Sequence, residues 1–188
     1  MLRRVSDHYL RLTDITSRLC EGAAVLLLFG FAALMLAEVV KRGFIGGSLA
    51  FSWEISTYAM AAMFFLAAGR TLRTGRHVRV SLLLEASGPR LRRLIDMAAT
   101  LVGLILAVLI FLSLVDLASA SGARGLRSAT YTATPLVWPQ ALMAIGAGQF
   151  CLDLGARLIR LLRGLPPQET APEELALIPR AQGGTGDD

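Results

Sequence analysis

Charge is scarce in this sequence. Asp, Glu, Lys and Arg make up 18% of its 188 residues, against 54% hydrophobic residues and a mean hydropathy of +0.57. Soluble domains carry about 25% charge, so the composition points to a membrane protein. Histidine and cysteine are scarcer still, at two each. His8 and His77 both lie outside the apolar runs, whereas a haem-binding bundle needs histidines that reach iron from within it. Cys20 and Cys151 are too few for a four-cysteine zinc site, and no C-x-x-C arrangement supports thiol redox chemistry. H-E-x-x-H, P-loop and G-x-S-x-G motifs are absent as well, which removes the common metalloprotease, nucleotide and hydrolase signatures.

What the chain does have is four stretches free of Asp, Glu, Lys and Arg: residues 22–37, 55–69, 97–115 and 128–152. Crossing the hydrocarbon core takes about 17 to 25 helical residues, so the last two suffice as they stand. The first two reach that length when Glu38 and Glu54 sit at the interface. The expected fold is an all-α membrane protein with spans at about residues 22–40, 53–69, 96–116 and 135–153. A cleaved signal peptide is the rival reading of the first run. The long segment before it and the charged Glu38-Val39-Val40-Lys41-Arg42 after it favour an uncleaved anchor.

Arginines set the orientation. Fourteen Lys and Arg flank the ends that precede span one, join spans two and three, and follow span four, against four in the other two links. Cationic loops are retained in the cytoplasm, so both termini are expected there. The pI of 10.0 has the same origin: the basic residues adjoin apolar spans and meet anionic headgroups, and they do not indicate nucleic acid.

Ahead of span one, Arg4, Asp7, Arg11, Asp14, Arg18 and Glu21 alternate in sign at helical spacing, while Val5, Leu12, Ile15 and Leu19 form a second stripe. This predicts an N-terminal amphipathic helix, lying on the membrane or on a partner, with a solvated leader helix as the plain alternative. Gly43, Gly46 and Gly47 mark a tight first link, and Gly88-Pro89 ends a short interfacial segment in the second. Pro135, Trp138 and Pro139 open span four. Residues 1–163 therefore read as one four-helix membrane domain. The proline-rich, acidic stretch 164–188 reads as a disordered cytoplasmic tail.

The spans hold little that could carry chemistry. Glu38 and Glu54 lie nearest the hydrocarbon, and an ionisable group there is a functional candidate by default. Arg42, one turn from Glu38, offers local pairing; contact with another subunit and an ion relay are the other readings. His77, among Arg73, Arg76 and Arg79, is either a pH-sensitive contact or an interfacial hydrogen-bonding residue. Ala61, Ala62, Ala67 and Ala68 in span two, and Ala144 with Gly148 in span four, permit close helix approach. A self-sufficient transporter would show repeats and broken helices around a central site. Four apolar helices point instead to an auxiliary membrane subunit.

Residues 51–84 carry a family resemblance. Glu38 and Arg42, Phe44, the Trp53-Glu54 pair, Phe65-Leu66-Ala67-Ala68, Arg73, and Gly75-x-His77-Val78-Arg79-Val80 with Leu82-Leu83 resemble the DctQ-type small membrane subunit of tripartite ATP-independent periplasmic (TRAP) transporters. Pro135, Trp138 and Gly146 fit more loosely, and the likeness covers about residues 18–163. The chain departs from the family pattern in lacking a proline before Trp53, a second acidic residue after Glu54, glycine at Ala67 and aspartate at Ser81. The resemblance implies an inner-membrane subunit that braces a large permease during sodium-coupled uptake of an organic acid delivered by a periplasmic binding protein. It implies no enzyme activity and no cofactor in this chain, with sodium handled by the large subunit. Trp53 and Glu54 would then fix the outer end, and His77 and Arg79 the inner, with Glu38, Arg42 and Arg73 as further structural or interface residues. A membrane anchor subunit of a redox enzyme is the alternative from another class, and a lipid enzyme is disfavoured for want of a nucleophilic cluster.

Overall fold

The computed structural model describes residues 2–73, 89–130 and 132–164, and these form four long helices with no strand among the described residues. They are α1 (Leu2–Val40), α2 (Ser52–Arg73), α3 (Pro89–Ala123) and α4 (Val137–Arg163), of 39, 22, 35 and 27 residues. Even α2 is about 33 Å long at ~1.5 Å per residue, enough for a hydrocarbon core of about 30 Å. All four are long and apolar enough to cross a membrane.

The helices outrun the apolar stretches. The segment expected as a separate amphipathic helix is the leading half of α1, continuous with the first span. The side it turns to the rest of the chain is not its apolar stripe. Leu10, Thr13, Ser17 and Ala24 are buried against the bundle, while Leu12, Ile15 and Leu19 are exposed. At its far end α1 passes into a π-helical turn, Lys41–Ile45. The chain then reverses through Gly46 and Gly47 at φ of +78° and +82°, conformations that side chains with a Cβ resist. The helix α3 continues to Ala123, so the link before α4 is shorter than the run of small residues suggests. That link folds back on itself: Ser128 N donates to Thr134 O at 2.9 Å, and Leu136 N to Leu126 O at 3.1 Å.

At the centre stands α4, packed against α3, α2 and α1, while α1 also packs on α2 and α3 rests chiefly on α4. Small residues make this possible. Ala144 and Ala147 of α4 and Ala62 of α2 are buried, and a Cβ added at Gly146 would lie 2.7 Å from the backbone of Phe65 and Leu66 in α2. On the other side Gly148 faces the ring of Phe111 in α3. The outer surface is apolar: Leu26, Phe29 and Leu36 of α1, Phe64 of α2, and Leu101, Ile105 and Leu109 of α3 are all exposed. Such a surface suits lipid, in which helix association depends on close packing and polar contacts and not on the hydrophobic effect.

Gly146→Ala should therefore destabilise the bundle by about 1–3 kcal/mol, the usual cost of overpacking a tight core. Gly148→Ala should cost less, because the edge of a phenyl ring can shift where backbone cannot. Unfolding midpoints in mixed detergent and dodecyl sulfate micelles would compare them, and equal sensitivity would contradict this packing.

Candidate functional site

Trp53 and Trp138 begin α2 and α4 at the same end of the bundle, and both are exposed. Two buried carboxylates lie at this tryptophan end, and each clasps a link. Glu38, near the end of α1, accepts hydrogen bonds from Arg42 (2.8 Å), from Ser48 Oγ (2.5 Å) and from the backbone N–H of Leu49 (2.7 Å). It thereby ties the π-helical turn and the glycine reversal back to α1. Glu54, in the first turn of α2, accepts from Tyr58 Oη at 3.1 Å and from the hydroxyls of Thr130 and Thr132. These threonines lie across the bundle, so one side chain pins the link between α3 and α4 to the start of α2. A buried carboxylate is tolerated only when donors replace its water, and here they do.

The opposite, arginine end is held by ion pairs. Arg73, the last residue of α2, donates to Asp153 of α4 through Nε (3.1 Å) and Nη2 (2.5 Å), to Asp14 of α1 through Nη1, and to the carbonyl of Thr13 at 3.0 Å. One guanidinium thus joins three helices. The Asp153 side chain is 0% exposed and that of Arg73 13%. Gln149, one turn earlier in α4, donates to the same Asp153 Oδ1 at 3.2 Å and reaches the Thr13 carbonyl at 3.4 Å. The other Asp153 oxygen lies against Gly69 of α2, where any Cβ would collide with it. Around this core Arg70 pairs with Glu21 (3.3 Å), Arg163 with Asp7 (2.8 Å) and Arg157 with Asp96 of α3 (3.9 Å). Arg93 of α3 donates to the Leu161 carbonyl at 2.7 Å, satisfying the end of α4 where Gly164 turns left-handed.

The profile of the family described as "Tripartite ATP-independent periplasmic transporters, DctQ component" matches residues 31–164. The chain belongs to the DctQ family. It is therefore the small permease component of a TRAP transporter, with four helices suited to a multi-pass membrane protein, and its family is a transporter component and not an enzyme family. No curated protein matches the chain. The DctQ match begins in the last third of α1 and ends at the C-cap of α4. It contains both clasps of the tryptophan end and the Arg73–Asp153 pair, but Asp7, Asp14 and Glu21 precede it.

Of the residues singled out from the sequence of this DctQ chain, Glu38, Arg42 and Glu54 lie in the clasps and Arg73 in the buried cluster. Trp53 points outward, 80% exposed, next to the buried, hydrogen-bonded Glu54. His77 and Arg79 lie outside the described residues. Sequence reasoning passed over Asp153 and Gln149. Asp153 directly follows an uncharged stretch, and an acid placed there among arginines was the available signal.

Arg73→Ala should cost about 3–5 kcal/mol of bundle stability, because it strands the buried Asp153. Replacing both partners, Arg73→Met with Asp153→Leu, should recover most of that loss. A double-mutant cycle by equilibrium unfolding measures it, and additive losses would mean that the two residues are not coupled.

Proposed function

We propose that this chain braces the large permease subunit of a TRAP transporter in the bacterial inner membrane, with both termini cytoplasmic. In this reading the arginine end faces the cytoplasm and the tryptophan end the periplasm, following the bias of cationic residues. The large subunit carries an organic acid received from a periplasmic binding protein and couples its movement to sodium. The small subunit enlarges the fixed scaffold against which the moving domain works. It has no catalytic role, takes no cofactor and does not bind substrate centrally.

The observation that carries the bracing role is where the buried charges go. Glu38, Glu54 and Asp153 are each engaged in fastening this chain to itself at one end or the other. A substrate pathway would instead gather polar groups toward the middle of the membrane. The exposed apolar flanks of α1 and α3 leave broad surface for a larger membrane protein or lipid.

Two measurements test this reading. The chain should co-purify in mild detergent with a protein of many more spans, and uptake should fail when it is deleted; a chain that stays monomeric while transport continues without it would refute the brace. Glu54→Ala, which frees the link at Thr130 and Thr132, should lower uptake or assembly without altering the preference between two competing substrates, and Arg79→Ala should do the same. A changed preference would place these residues at a substrate site.

A further inference from the structure

The leading half of α1 carries acids and bases along one side, and they differ in their partners. Asp7, Asp14 and Glu21, spaced by seven, pair with Arg163, Arg73 and Arg70. Arg11 and Arg18, also spaced by seven, each follow one of these acids by one turn and lie exposed on the outward edge of the same side. Beside them stand Leu12, Ile15 and Leu19, 62%, 58% and 69% exposed. The same face continues along the helix through Leu26, Phe29 and Leu36, all exposed, which is the apolar flank of the span itself. So the acids are neutralised within the bundle, and the bases are left outward beside apolar side chains.

Height along the helix fits an interface. Counting back from Glu38 at ~1.5 Å per residue, Arg18 lies about 30 Å away, one hydrocarbon thickness, and Arg11 about 10 Å further. The headgroup layer adds about 5–8 Å on each side, within reach of arginine side chains that extend toward it. We infer that this outward face, Arg11 and Arg18 with Leu12, Ile15 and Leu19, is a seat for anionic phospholipid headgroups at the arginine end of the bundle. Leu19 enters the acyl boundary with Ile15 just above it in the headgroup layer, and the two guanidiniums hold phosphate. Charge complementarity selects lipid over a protein surface as the occupant: the acids described on this half of the helix are engaged by Arg163, Arg73 and Arg70, which leaves Arg11 and Arg18 as its net charge beside the apolar stripe.

The test places a reporter on the full chain. Ile15→Trp, in a Trp53→Phe/Trp138→Phe background, is reconstituted in phosphatidylcholine vesicles that contain either brominated phosphatidylglycerol or brominated phosphatidylcholine. Brominated phosphatidylglycerol should quench more strongly at equal mole fraction, and Arg11→Gln or Arg18→Gln should each lower its relative association constant about fivefold. Equal quenching by the two lipids, or none by either, would overturn the inference. So would loss of quenching when the large permease is added, because protein would then cover the face. Leu101→Trp on the outer face of α3 is the control: it should respond equally to both lipids, and its failure to be quenched would count against the spanning reading and not against the headgroup seat alone. Should the tryptophan-free background fail to insert, native mass spectrometry of the otherwise unaltered chain decides. Retained phosphatidylglycerol that falls with Arg11→Gln/Arg18→Gln supports the seat, and unchanged retention overturns it.

Discussion

A guanidinium at the edge of hydrocarbon needs carboxylates, and the way Arg73 finds two of them organises this bundle. Asp153 reaches it from α4 and Asp14 from α1, so three helices converge on one residue. Burying such a group gains little over apolar packing, because desolvation offsets most of the attraction, but removing a partner leaves a charge with nowhere to go. What it secures is register. Asp7, Asp14 and Glu21 recur every seven residues, so a slip of α1 by one turn would part all three from Arg163, Arg73 and Arg70 together. Arginines gathered at one end of the bundle thus fasten the helices to one another.

The two ends solve the problem of buried charge differently. At the arginine end the partners are opposite charges on neighbouring helices. At the tryptophan end they are hydroxyls and a backbone amide from the links, with Arg42 as the local cation. Helix-to-helix pairs fix helix positions, whereas carboxylate-to-link bonds hold short connections flat against the helix starts. Between the ends, contact depends on small residues such as Gly146 and Ala62, since lipid offers no hydrophobic drive to bring helices together. The helix α4 supplies both kinds of contact, which is why it sits at the centre.

Much of this was legible in the sequence where the determinant was local. Apolar runs gave the four helices, and Glu38 with Arg42 could be paired because four residues place them one turn apart. Glu54 was visible as an acid near hydrocarbon, but its partners Thr130 and Thr132 lie more than seventy positions away and carry no charge to betray them. Asp153 was hidden for a similar reason: its partner is eighty residues distant, and Gln149 sits within a stretch defined only by the lack of charge. In the leading half of α1 the stripe of Leu12, Ile15 and Leu19 was legible from its helical spacing, but the side that packs on the bundle was not. That side holds Leu10, Thr13 and Ser17, whose small polar members give no periodic apolar signal, and the three acids pair at its edge.

The adjacent Trp53 and Glu54 gain separate meanings from this geometry. Successive residues on a helix point about 100° apart. Glu54 therefore turns into the bundle toward Tyr58 and the threonines, while Trp53 projects outward from the same turn. The acid fixes the direction of the first turn of α2 by anchoring it to a link that joins two other helices. With that turn fixed, an exposed indole at the interface has a defined position, which an anchoring aromatic needs whether its neighbour is lipid headgroup or a larger subunit. Trp53 is thus the exposed aromatic of this rim, held on a turn whose acid is engaged within the bundle.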